Sequence, residues 1–314
     1  MSADTLEKSP FVLALAEVRR VQQISPSFVR VTFGGVELDE FGTPGDVFDT
    51  RIKIVFPPAS GVLPAIDRGA DDWWSAYLAF PESERGSMRT YSIRELKADA
   101  AGTEVVVDFV LHLAPGLTGP ASLWASRAEP GDAVLLVGPR RGRPERGGIE
   151  YAPGTASRVC LVGDETAAPA IARILEDAPR SLRGVAFIEV PSAVDVLSID
   201  APAGVDVHWL PRGDAAHGLR LIPTVLDHLG SGSSGGEIVV QDAEGEDLVW
   251  ETPVYSGLGE ELASEGSHDD RYFWIAGESG VVTTLRRHLV KGMGIDRAQV
   301  AFMGYWRRGV AMRG

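Results

Sequence analysis

Cysteine is nearly absent: Cys160 is the single one in 314 residues. One cysteine excludes an intramolecular disulfide and any four-cysteine iron–sulfur or zinc site carried by this chain, and it predicts a reducing compartment, the cytoplasm. Long apolar runs are missing as well. No stretch reaches the roughly 18–20 residues of a membrane-spanning helix, and the start, MSADTLEKSP, lacks the basic-then-apolar layout of a secretory signal, so no membrane insertion is expected. Positive charge is scarce: 30 Lys and Arg against 44 Asp and Glu leave a formal charge of −14, which argues against nucleic acid or an anionic membrane as a partner. His112, His208, His217, His228, His268 and His288 show no metal-ligand spacing, so no metal site is expected. The G-x-S-x-G elbow of the commonest hydrolases is absent too.

Hydrophobic residues make up 44% of the chain, enough for ordinary globular cores, and the length suits two domains. From residue 11 to about 137 the apolar pattern is short and strand-like: FVLALAEVRRV, SFVRVTFGG, FDTRIKIVFPP, MRTYSIRE, TEVVVDFVLH and DAVLLVGP. Six such strands predict an antiparallel β-barrel over residues 1–145. Helices are expected at DDWWSAYLAFPE and at ASLWASRAEPGD. The Gly-, Pro- and charge-rich stretch 140–157 reads as a connection. Beyond it RVCLVGD, RGVAFIEV, VDVHWL and RYFWIAG read as buried strands between helical patterns, which predicts an α/β domain with a mainly parallel sheet over 146–314. Residues 230–270 interrupt that rhythm and read as an insertion with a flexible start.

Three constellations suggest chemistry. In MRTYSIRE, strand alternation puts Arg89 and Tyr91 on one face, with Ser92 turned to the other or held at the strand's end: a cation beside a flat aromatic, a shelf for a planar anion. In GPASLWA, Gly119 and Pro120 open a helix whose first-turn N–H groups, together with the Ser122 hydroxyl, suit a phosphate. An ordinary helix start is the plainer reading of that stretch alone; the planar fork of Arg89 tips the pair toward a diphosphate. In LVGDETAAPAIARIL a buried strand runs into a helix with one glycine and two acids, Asp164 and Glu165, which would repel a pyrophosphate. The tail AFMGYWRRG and the cluster PRRGR are solvated charge runs or, in so acidic a protein, anion contacts.

Taken together, MRTYSIRE, DFVLH, GPASLWA, GDETAAPAIARIL, AGES and GYWRRG resemble the siderophore-interacting protein family, flavoproteins of the ferredoxin-reductase-like superfamily. The resemblance implies a barrel holding FAD and an α/β domain serving a reductant, NAD(P)H or alternatively ferredoxin. It implies that Tyr91 stacks on the isoalloxazine, that Arg89 meets the pyrophosphate and that Ser92, where Thr is more usual, offers a hydroxyl near the flavin N5 edge. Thr90, Asp108, His112, Gly119, Pro120, Ala121, Ser122 and Thr166 complete the implied cofactor site. The implied substrate is a ferric siderophore, held by Lys53, Arg140 and Arg307, with Arg141 and Arg308 as one-position alternatives. A general flavin or electron-transfer reductase and a non-catalytic ferric-siderophore binder are the rival readings.

Overall fold

The computed structural model describes residues 9–70, 72–113, 118–144, 147–230, 240, 248–253, 255–256 and 270–309. The chain divides into two compact units, Met1–Ile149 and Glu150–Arg313.

The first unit is an antiparallel half-barrel. Its strands are β1 (Phe11–Ser25), β2 (Phe28–Gly34), β3 (Arg51–Phe56), β4 (Ser87–Ser92), β5 (Glu95–Asp99), β6 (Gly102–Val110) and β7 (Ala133–Pro139), in the order β4-β3-β7-β1-β2-β6-β5. The two edges, β4 and β5, follow each other in sequence. Between them Ile93 donates its N–H to the Thr50 carbonyl at 2.9 Å and Arg94 donates to the Val106 carbonyl at 2.8 Å, so two residues tie both ends of the sheet together. Burial explains the curl: alternate residues of β1, β2, β3 and β6, among them Val31, Phe33, Ile52, Ile54, Phe56, Val107 and Phe109, meet in one core. Helix α1 (Trp73–Ala79) covers the outer face, where Tyr77 packs with Leu13, Val55, Met88 and Leu135. Helix α2 (Pro120–Ala125) lies against β3, β4 and β6. β5 was not among the expected strands: ELKAD is polar and mostly exposed, and carries no apolar alternation.

The second unit is an α/β sheet of β8 (Arg158–Gly163), β9 (Arg183–Val190), β10 (Gly204–Pro211), β11 (Trp250–Thr252), β12 (Tyr255–Ser256), β13 (Arg271–Glu278) and β14 (Val300–Trp306). Its order is β10-β9-β8-β13-β14-β11-β12; the first five run parallel, and β11 and β12 add antiparallel pairs. Helices α3 (Ala168–Asp177), α4 (Leu221–His228) and α5 (Ser279–Arg286) accompany it. The chain leaves β8 toward β9 and β10, then returns to build β13 and β14 on the other side. This reversal is a topological switch point, the place where open α/β sheets form a crevice at the carboxyl ends of the strands. Within the 230–270 insertion, apart from its end residues 230 and 270, residue 240, the segment 248–253 and residues 255–256 are described; the stretch expected to be flexible, from residue 231 on, lies outside the described residues.

Candidate cofactor and substrate sites

In the first unit, Gly86 sets up β4. Its φ of +75° belongs to glycine, and a Cβ there would sit 2.1 Å from the Phe56 carbonyl oxygen, so the turn into MRTYS depends on the missing side chain. Register then fixes the faces. Arg89 pairs with Ile54 and Tyr91 with Ile52, placing both on the core side, whereas Thr90 pairs with Lys53 and Ser92 with Arg51 on the opposite side. The Tyr91 ring is backed by Phe109, with centroids 4.6 Å apart, and by the edge of Phe56 at 6.3 Å. Burial pushes the Tyr91 phenol above its ordinary pKa, with Arg89 opposing. Arg89 is half-buried and its guanidinium donates one hydrogen bond, 2.7 Å, to the Met88 carbonyl. No carboxylate pairs with it among the described residues. Burial therefore pulls its pKa below the ordinary value, with the tyrosines Tyr91 and Tyr77 opposing.

Helix α2 brings a second set of donors to this end of the barrel. Its position is set by Trp124, which stacks on Phe33 (6.1 Å, 16°) and packs on Phe56 (5.0 Å) and Phe109 (5.8 Å), with Ala121 and Ala125 buried beneath. Sequence reasoning passed over Trp124, although its place on the core-facing side of GPASLWA signals the anchor. The Ser122 hydroxyl accepts the His112 backbone N–H at 2.8 Å, so its own hydrogen remains to be donated. Gly119 and Pro120 are exposed, and a Cβ on Gly119 would meet nothing within 4 Å. An unpaired, partly desolvated guanidinium, a hydroxyl with a free hydrogen and a ring backed on one side match what a diphosphate joined to a planar heterocycle requires. The residues present fit FAD.

Other expected residues are otherwise engaged. Both carboxylate oxygens of Asp108, fully buried, accept from Arg30 at 2.7 and 2.8 Å, and Arg94 lies 3.7 Å away. Arg140 spends its guanidinium on the Ser9 carbonyl (2.8 Å), the Phe11 carbonyl (3.2 Å) and the Glu40 carboxylate. Arg141 donates to Thr103 Oγ1 at 2.6 Å and to the Phe41 carbonyl at 3.3 Å. The geometry adds nothing to a ligand role for these three. Lys53 is exposed beside Thr90, its Nζ 3.3 Å from Thr90 Oγ1; desolvation first, and the Arg51 charge second, pull its pKa down.

In the second unit the switch-point crevice is organised by Asp164. This buried carboxylate accepts from Thr166 N (2.9 Å), Thr166 Oγ1 (2.6 Å), Glu278 N (2.8 Å) and Trp306 Nε1 (2.8 Å), knitting together the carboxyl ends of β8, β13 and β14. Gly277 makes room for it: at φ +139°, a Cβ would lie 2.7 Å from Asp164 Oδ2. Burial raises the Asp164 pKa and so does Glu165, while hydrogen bonds from Thr166 and Trp306 oppose. Glu165 is held in turn by both arms of the Arg212 guanidinium at 2.7 Å, with His217 Nε2 at 3.2 Å. Burial works against the Arg212 charge, but Glu165 outweighs it and holds the pKa up. His217 meets the Trp306 ring edge-on at 4.8 Å. The two acids that looked hostile to a pyrophosphate are thus interior tie-points, and the Thr166 hydroxyl hydrogen is committed to one of them. Just past β14, Arg307 is half-buried and Arg308 exposed, its backbone N–H donating to Glu278 Oε1 at 3.3 Å.

Sequence comparison supplies the family context. Residues 17–143 match the model of the siderophore-interacting FAD-binding domain, and residues 156–309 match that of the siderophore-interacting protein. A siderophore utilization protein from T. fusca has a solved structure that superposes with a TM-score of 0.67 at 31% identity, covering 97% of this chain and 96% of that one. Ferric vibriobactin reductase ViuB of Vibrio cholerae is 28% identical over 94% of this chain and 89% of its own length. The NADPH-dependent ferric-chelate reductase of Escherichia coli is 27% identical over 92% and 91%.

Proposed function

This chain belongs to the siderophore-interacting protein family, and on that footing we propose that it is an FAD-dependent reductase that releases iron from ferric siderophores. The observation that carries the reading is Arg89: a half-buried guanidinium with no carboxylate partner among the described residues, on the same strand face as a tyrosine whose ring is backed by Phe109, in a domain of the FAD-binding type. A buried cation without a counter-ion is costly unless a ligand supplies one. Arg89 and the Ser122 hydroxyl would hold the FAD diphosphate, and Tyr91 would seat the ring. Ser92, half-buried, would offer its hydroxyl from the other side of the strand end. FAD, when bound, converts a two-electron hydride into single electrons; the protein contributes position and electrostatics.

The substrate logic is chemical. Hard, often anionic oxygen donors hold Fe(III) far more tightly than the less charged Fe(II), so one electron loosens the chelate. Lys53, Arg307 and Arg308, with Arg140 if its present hydrogen bonds are exchanged, are the basic residues proposed to meet an anionic ferric chelate. NAD(P)H is the proposed donor, in keeping with the named activity of the Escherichia coli relative, with ferredoxin as the alternative. The cytoplasm is the proposed site, in keeping with a single, buried cysteine. The test is anaerobic mixing of the FAD-loaded protein with NADH, NADPH or reduced ferredoxin, then with a panel of ferric chelates while a coloured chelator traps Fe(II). Bleaching of the flavin followed by its reoxidation on adding ferric siderophore is the expected result. A flavin that every donor bleaches but no ferric chelate reoxidises would reject the assignment.

A further inference from the structure

The opposite edge of the second unit's sheet carries a feature that the proposed reaction does not use. The first residues of three adjacent parallel strands are arginines in register: Arg271 opens β13 beside Arg158 of β8, and Arg158 lies beside Arg183 of β9. In-register neighbours share a face, and here it is the face of Phe273, Cys160 and Val185. With strands about 4.8 Å apart, three guanidinium stems start within roughly 10 Å of one another. Like charges side by side on a sheet oppose folding. Among the described residues none of the three side chains makes an ion pair; Arg158 and Arg183 are exposed, while Arg271 is half-buried with its guanidinium 5.9 Å from the centre of the Phe273 ring. Asp270 offsets part of this repulsion: its carboxylate feels the Arg158 charge, while it is positioned by Ser157 N at 2.6 Å and the Ser157 hydroxyl. Asp206 and Asp227 are exposed and pair with none of them.

The row also borders a pocket of about 280 Å3 lined by Arg158, Arg183 and Arg271, with His228 from the end of α4 on one side. Gly184 and Gly204, at the starts of β9 and β10, leave that lining without side chains, and Val159, Cys160 and Val185 complete it. Burial pushes the Cys160 thiol up to about 12, with Arg271 opposing, so this thiol stays neutral and unreactive, and the arginines give the pocket the character of a binding site.

We infer that this arginine row is a binding site for a small oligoanion, of the class of a diphosphate, at the amino-end edge of the sheet and away from the switch-point crevice. A protein of formal charge −14 does not gather three cations by general composition. Guanidinium forks favour phosphate oxygens over halide, and a row of three suits an anion with two phosphoryl groups better than a single one.

The test is thermal unfolding and calorimetric titration of the full chain, as purified, with inorganic pyrophosphate, orthophosphate and chloride at matched ionic strength. Pyrophosphate is expected to raise Tm above the chloride control, and by more than orthophosphate does, as mass action on the folded state requires. Arg183→Gln and Arg271→Gln should each weaken pyrophosphate binding about tenfold, about 1.4 kcal/mol. Without pyrophosphate they should unfold at or above the parent Tm, because repulsion is relieved. Arg89→Ala serves as the control for the other unit and should leave the calorimetric site in place. Absence of pyrophosphate binding, unchanged affinity in both row variants, or loss in Arg89→Ala alone overturns the inference; none of these results bears on whether the flavin reduces a ferric chelate.

Discussion

At the scale of single residues, two buried charges make opposite predictions. Among the described residues Arg89 has no carboxylate partner, and on the proposed reading the FAD diphosphate would supply its counter-ion. Arg89→Ala should weaken FAD retention by about 1.5–3 kcal/mol, the usual size of a charge-assisted contact, while the apoprotein Tm changes little; equilibrium dialysis of FAD checks it. Asp164 is the reverse case, a carboxylate with four internal donors and no need of a ligand. Asp164→Asn leaves at least one buried donor without an acceptor and should cost about 1–3 kcal/mol. The pH dependence follows from the raised pKa. A carboxyl whose folded pKa lies above its unfolded value contributes stability that is present below the unfolded pKa and lost as pH rises through the folded one. The gap in urea-unfolding free energy between parent and Asp164→Asn should therefore be widest near pH 4 and narrow toward neutrality; a gap that widens with pH would show that the hydrogen bonds outweigh burial.

At the scale of elements, α2 is the hinge between packing and chemistry in the barrel. Trp124 fills the space among Phe33, Phe56 and Phe109, and the same Phe109 backs Tyr91. Trp124→Ala should cost about 3 kcal/mol of stability, the low end for a large aromatic because the ring is only half-buried, and FAD affinity should fall with it. Leu123→Ala, on the exposed side of the same helix, should stay within about 0.5 kcal/mol, so a differential scan of the two variants separates anchoring from helix propensity. This helix also shows what the sequence makes legible. Alternation in RIKI and MRTYS announces half-buried strands, and apolar runs such as those of EVVVDFV, RVCLVG and RGVAFIEV announce buried ones. Contacts between distant segments leave no local trace. Nothing in DFVLH shows that Asp108 will be claimed by Arg30, 78 residues earlier, and nothing in PRRGR shows that Arg140 will reach Glu40. The arginine row is similar: each Arg opens its own strand unremarkably, and only the parallel register brings the three together.

At the scale of the whole molecule, the net charge decides how an anionic substrate approaches. A formal charge of −14 repels an anionic ferric chelate over distances comparable with the Debye length, about 10 Å at 0.1 M salt, whereas a contact with Arg307, Arg308 or Lys53 acts over a few ångströms. Salt screens both, and the sign of the response tells which governs. If the general field dominated, kcat/KM for an anionic chelate would rise with salt; if local basic contacts dominate, it falls. The expectation is a fall, with neutral hydroxamate chelates nearly flat, because unscreened repulsion alone would leave this acidic chain a poor receptor for the ligands its family handles. Point changes assign the contact. Arg307→Ala and Arg308→Ala, past the end of β14, should leave the flavin spectrum unchanged and Tm nearly so, within the roughly 0.5 kcal/mol typical of surface charges. One of the two should raise KM for an anionic ferric siderophore about tenfold, corresponding to about 1.4 kcal/mol, and flatten the salt response. If both variants keep the parental KM and salt slope, the tail's arginines serve the fold alone, and Lys53 becomes the residue to change next.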